Sequence, residues 1–152
     1  MADGVPAKGG RRSSSGRVIL FSNLRNHWQL FILSPIQNTI VFLCSLGNKP
    51  NRQFKNISDA AMEASRRLNS RKGRVKWIIP MSRMQVGSYE CGYYVMLHML
   101  NIVLAVILEM WDERFVNLEP FSSEEIDEVR TRWASYFLEM TQSINDMMNV
   151  FV

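Results

Sequence analysis

Two runs of β-branched and aromatic residues, Trp28-Gln29-Leu30-Phe31-Ile32-Leu33 and Thr39-Ile40-Val41-Phe42-Leu43-Cys44, constrain the fold more than any other feature of the sequence. Their composition is that of β-strands. The stretch between them, 34–38 with Pro35 inside it, supplies a turn. A hairpin with one wet face alternates apolar and polar side chains, but these two runs are apolar at nearly every position. Both faces must therefore be covered, and the hairpin belongs at the centre of its sheet. Gly47-Asn48-Lys49-Pro50 then ends the second run.

The rest of the chain supplies the covering elements. Val18-Ile19-Leu20-Phe21 is a candidate short strand ahead of the hairpin. Phe54, Ile57, Ala61, Ala64 and Leu68 recur at helical spacing and predict an amphipathic helix over about 53–70. A third strand is expected at 75–79, stopped by Pro80. From Cys91 to about residue 110 apolar side chains wrap the whole circumference of a helix, the pattern of one buried in a core. Its most apolar part, 93–108, contains His98 and Asn101 and is shorter than the roughly 20 residues a bilayer requires, so no membrane association is expected. Ser122 and Glu125 have capping-box spacing, with Phe121 and Ile126 where a hydrophobic staple needs them. Ile126, Val129, Trp133, Phe137 and Met140 then line one face of a last helix. The order of strands and helices is that of an α+β domain, a small antiparallel sheet packed against helices.

At 152 residues the chain is sized for one domain, and 47% hydrophobic with 21% charged residues is an ordinary globular balance. Residues 1–16, rich in Gly, Ser, Arg and Lys, read as a disordered tail, which leaves 17–152 for the domain. The start lacks the apolar core of a secretory signal, and two cysteines are too few for a disulfide scaffold. An intracellular place, nucleus or cytoplasm, is expected. The net charge is +4, with a basic cluster at Arg66, Arg67, Arg71, Lys72, Arg74 and Lys76. No aromatic side chains interleave with it as on a nucleic-acid platform, so it reads as a solvated helix end and loop. Neither Cys-x-x-Cys nor His-x-x-x-His spacing occurs, so neither a metal nor another cofactor is expected.

One constellation can carry chemistry. Cys91 stands where the loop Val86-Gly87-Ser88-Tyr89-Glu90 enters the buried helix. The unpaired amide hydrogens of a helix N-terminus favour negative charge, and the thiolate is the nucleophilic form of cysteine. Gly92 leaves room for a substrate carbonyl beside the backbone. Taken alone, Cys91 also fits a small core residue. Two histidines could serve it as a base. His98, seven residues along the same helix, is about 10.5 Å away at 1.5 Å per residue, beyond hydrogen-bond reach. His27, just ahead of the first hairpin strand, is free to meet Cys91 in space. A turn centred on Ile36 sets His27 near Cys44 and Ser45, where a third group could orient the imidazole. An acid or an amide is expected there, and the sequence has Cys44.

These residues together resemble a known family. His27-Trp28 opening a strand, Cys44-Ser45-Leu46 ending the next, and Gln85 followed six positions later by Cys91-Gly92 look like the catalytic domain of the ubiquitin-like-protein-specific (SUMO) cysteine proteases. That family belongs to the papain-like superfamily and is related to the adenovirus protease. The likeness covers roughly residues 18–145 and is greatest to the divergent members encoded by plants and plant transposons. It implies a papain-like, adenain-like fold and a thiol peptidase that cleaves after the C-terminal glycine of a ubiquitin-like modifier, its partner. Cys91 would be the nucleophile, His27 the general base and Gln85 an oxyanion-hole donor. Trp28 would wall the slot for the modifier's Gly-Gly tail, and a monomer is expected. Two departures matter. Cys44 stands where the family has aspartate, and the segment before His27 is short, which reads as a truncated N-terminal part. The alternative is therefore a catalytically impaired remnant that serves as a protein-binding module.

Overall fold

The two apolar runs lie at the centre of a four-stranded sheet of order β1-β2-β3-β4. The computed structural model describes residues 16–104 and 110–149; the expected tail, apart from Gly16, lies outside them. Strand β1 (Val18–Leu24) is longer than the four-residue apolar patch that announces it. It pairs antiparallel with β2 (His27–Ser34), which pairs antiparallel with β3 (Thr39–Leu43). Only Arg25 and Asn26 join β1 to β2, both at positive φ (54° and 60°), as a type I′ hairpin turn requires. Because Leu24 pairs with His27 across this turn, His27 is the first residue of β2.

The sheet is mixed rather than wholly antiparallel, because β4 (Lys76–Ile78) runs parallel to β3. The reason is the connection. Helix α1 (Arg52–Leu68) carries the chain back along the sheet before β4 begins, and such a crossover delivers a parallel strand. Asn51 caps α1, its side chain accepting from the backbone N–H of Gln53 at 2.8 Å.

Both faces of the hairpin are covered. Leu30, Ile32, Val41 and Leu43 pack against Val95 and Ile102 of α2 (Cys91–Leu104) and Trp111 of the short α3 (Trp111–Arg114). Phe31, Leu33, Ile40 and Phe42 pack on the other side against Met62 of α1, with Phe54 partly buried beside them. The buried face of α1 therefore shares only Phe54 with the expected stripe and continues through Ser58 and Met62: Ile57 and Leu68 are 60% and 87% exposed. Reach decides it, since Met62 extends into the sheet while Ala61 and Ala64 have almost nothing to bury.

The long apolar helix is described to Leu104; positions 105–109 of its expected extent lie outside the described residues. Val103 and Leu104 near this end are exposed rather than buried. Helix α4 (Ser123–Asn149) starts as its capping box requires. The Ser122 N–H donates to Glu125 at 2.8 Å and the Glu125 N–H to Ser122 Oγ at 3.2 Å. Ile126 and Val129 join Tyr94, Leu97 and Phe121 in a third cluster. Trp133, Phe137 and Met140, expected on the same buried face, remain 43–71% exposed. A helix of 27 residues is about 40 Å long and outruns the domain it packs on.

Candidate active site

The two-residue turn and the start of α2 converge on one spot. His27, at the head of β2, points the same way as Gln29, two residues on. Cys44 follows the last residue of β3. The register that pairs Leu30 with Leu43 brings Gln29 opposite Cys44 when extended by one step. His27 Nε2 lies 3.2 Å from Cys44 Sγ, and Gln29 Nε2 donates to the same sulfur at 3.7 Å. All three side chains are buried. Burial lowers the pKa of His27 below the ordinary histidine value, because the imidazolium loses hydration there, which favours the neutral ring.

Cys91 is the first residue of α2, and that helix packs along β2. Its buried Sγ accepts from the backbone N–H of Trp28 at 3.5 Å. The peptide joining His27 to Trp28 thus touches one cysteine through its N–H, while the His27 ring meets the other. Trp28 is 38% exposed, with Phe21 beside it at 6.0 Å between ring centroids. Its ring also borders Gly92, where an added Cβ would sit 3.6 Å from Trp28 Cδ1.

The loop before Cys91 is fastened at several points. The Gln85 N–H donates to the Ser45 carbonyl at 2.9 Å, and Gln85 Oε1 accepts from the Ser45 hydroxyl at 2.6 Å. Its Nε2 donates to the Gly87 carbonyl at 2.7 Å, which uses one of its two hydrogens. The Gly87 N–H donates to the Glu90 carboxylate at 2.9 Å. Tyr94, buried in α2, donates its hydroxyl to the Met84 carbonyl at 3.1 Å and accepts the Phe121 N–H at 3.1 Å. It ties the loop to the start of α4.

No carboxylate joins His27 and Cys44 in the hydrogen bonds of the described residues. Asp59 accepts from Trp77 and Lys55, Glu63 is held by Arg66 and Arg67, and Glu90 is held by Gly87. The far side of Cys44 borders a cavity of about 240 Å³, lined also by Gly47, Asn48, Pro80, Ser82 and Met84. His98 stands apart. It is buried among Tyr94, Phe115 and Phe121, and desolvation pushes its pKa down to about 4. The basic cluster is partly structural, since Arg66 and Arg67 bond Glu63 and Arg71 donates to the Pro35 carbonyl at 2.8 Å.

Sequence reading gave no role to Gln29 or Tyr94, and it set Ser45 near His27 without a partner in Gln85. The signal for Gln29 was present: a lone polar residue in an apolar strand, two positions from a candidate catalytic histidine. Tyr94 gave none, because a tyrosine in an apolar helix reads as core.

This architecture has a solved counterpart. A structure of the SUMO protease Ulp1, with its catalytic cysteine oxidized to a sulfenic acid, matches with a TM-score of 0.53 at 21% identity, covering 75% of this chain and 48% of that one. The fold is that of a Ulp1-like cysteine protease. It is α+β, a four-stranded mixed sheet packed against helices. Ulp1 structures with the cysteine as a sulfonic or a sulfinic acid align at 25% and 24% identity, each with a TM-score of 0.47. They cover 65% of this chain and 50% and 49% of theirs. The chain spans about half the length of the solved chains it matches. No protein-family model matches it, and no curated protein matches it significantly. Among the described residues, no helix is long and apolar enough to cross a membrane.

Proposed function

We propose that the chain is a cysteine peptidase of the SUMO-protease type, which cleaves the peptide or isopeptide bond after the C-terminal glycine of a ubiquitin-like modifier. One observation supports this most: Cys91 Sγ lies 3.5 Å from the amide that follows His27, in a Ulp1-like fold. In this reading Cys91 is the nucleophile. Neutral His27 takes its proton, and with Nε2 turned to Cys44 the ring atom left for that task is Nδ1. The thiolate attacks the glycine carbonyl, His27 returns the proton to the leaving amine, and water hydrolyses the thioester. The second Nε2 hydrogen of Gln85 and the Cys91 N–H serve the developing oxyanion. Losing one such donor typically costs about 2.7–4 kcal/mol. Trp28 walls the approach for a Gly-Gly tail, next to the bare backbone of Gly92.

Cys44 sets the rate. A thiol is a weak hydrogen-bond acceptor and offers imidazolium no compensating charge, so turnover is expected to be slow. The test is hydrolysis of a modifier whose C-terminal glycine carries a fluorogenic amide. Release that disappears in Cys91→Ala supports the proposal. A second reading, a binding module that has lost catalysis, draws its support from the thiol in the acid's position. Under it the unaltered chain releases nothing, and modifier binding by titration survives Cys91→Ala.

A further inference from the structure

Gln29 is the only polar residue in the run 28–33, and it is buried, 6% exposed. It faces the same side as His27, and its carboxamide meets the sulfur that His27 Nε2 also meets, at 3.7 Å and 3.2 Å respectively. Its Oε1 is buried with no hydrogen-bond partner among the described residues. Leaving a buried carbonyl oxygen unpaired is costly, and a leucine there would fill the same space without that cost. Packing alone therefore does not account for a glutamine at this position.

The protons of the cluster give it a task. Cys44 has one S–H, and the neutral His27 ring has one N–H. The two ends of a carboxamide have the same shape, so half a turn about its last bond exchanges oxygen and NH₂. With NH₂ toward the sulfur, the acceptor in line for the Cys44 proton is His27 Nε2. The ring proton then sits on Nδ1, and the nitrogen needed as a base is blocked. With Oε1 toward the sulfur, Cys44 donates its S–H to Gln29 and accepts the Nε2–H of His27. Nδ1 is then bare, Oε1 has a partner, and the NH₂ takes the place that Oε1 left.

We propose that Gln29 is a positioning residue that does the missing acid's work at one remove, presenting Oε1 to Cys44 and thereby holding His27 as its Nε2–H tautomer. That His27 serves as a base rests on the function proposed above; the tautomer itself does not. The experiment is long-range ¹H–¹⁵N correlation on the full chain with ¹⁵N-labelled histidine, at neutral pH, using His98→Phe to assign the two rings. The unaltered chain and Gln29→Glu are expected to show His27 as Nε2–H. In Gln29→Leu it should move toward Nδ1–H, and alkylation of Cys91 by iodoacetamide, read by peptide mapping, should slow by more than about tenfold. An Nδ1–H ring in the unaltered chain overturns the proposal, even if no Gln29 variant folds. So does a folded Gln29→Leu whose His27 tautomer and Cys91 alkylation rate are unchanged. Modifier cleavage is not read, so its failure would remove the proposed peptidase activity and leave this result standing.

Discussion

Cys44 is the residue that most separates this candidate site from one with an acid beside the histidine. A carboxylate in its place would accept from His27 Nε2 with charge as well as geometry. Cys44→Asp is therefore expected to raise the rate of modifier hydrolysis by on the order of 10²-fold or more, against the ~10⁴-fold seen when a triad loses its acid. The same change should raise the His27 pKa from its lowered value, because an adjacent negative charge favours imidazolium. Titration of the His27 ring by NMR checks this, and an unmoved pKa would contradict the geometry of the pair. His98 makes a separate prediction. Its pKa is pushed from 6.5 to about 4 in the folded chain. Above pH 6.5 the ring is neutral in both states and nothing changes. As pH falls from about 6.5 to about 4, the unfolded chain takes up a proton that the folded one refuses. Stability should drop by about 3 kcal/mol across that window, and His98→Phe should flatten the drop in urea midpoints.

At this scale much of the site was legible. Counting outward from a turn near Ile36 brings His27 to Cys44, and the loop-to-helix boundary sets Cys91 at an N-terminus. The orientation of the His27 ring was not legible, because it depends on which buried atoms share one sulfur.

Among elements, α2 organises the site. It covers one face of the hairpin, begins with Cys91 and fastens the preceding loop through Tyr94. Tyr94→Phe removes the hydroxyl and leaves the buried Phe121 N–H and the Met84 carbonyl unpaired. A loss of about 1–3 kcal/mol is expected in denaturant unfolding. A loss under a few tenths would mean that the loop is held elsewhere. The hairpin itself was readable because apolar residues on both faces allow only a central position. The parallel β4 and the true face of α1 were not. Strand direction follows from the crossover, and a stripe that counts alanines as equals of Met62 points a helix the wrong way.

Across the whole molecule, α4 is two halves. Ile126 and Val129 belong to the core, whereas Phe137 and Leu138 are 71% and 70% exposed. Replacing both Phe137 and Leu138 with glutamine should change stability by no more than about 0.5 kcal/mol. Ile126→Ala should cost about 2–5 kcal/mol by the same denaturant measurement. Periodicity alone does not separate these halves, since it reports an apolar face and not where the domain beneath it ends. The claim that joins all three scales is that a Ulp1-like fold brings His27 to the service of Cys91. Intact-mass analysis after incubation with a SUMO bearing a C-terminal vinyl sulfone tests it most directly. One adduct, on Cys91, lost in Cys91→Ala and slowed in His27→Ala, is the predicted result. No adduct on the folded protein, or one that forms equally well without His27, would contradict it.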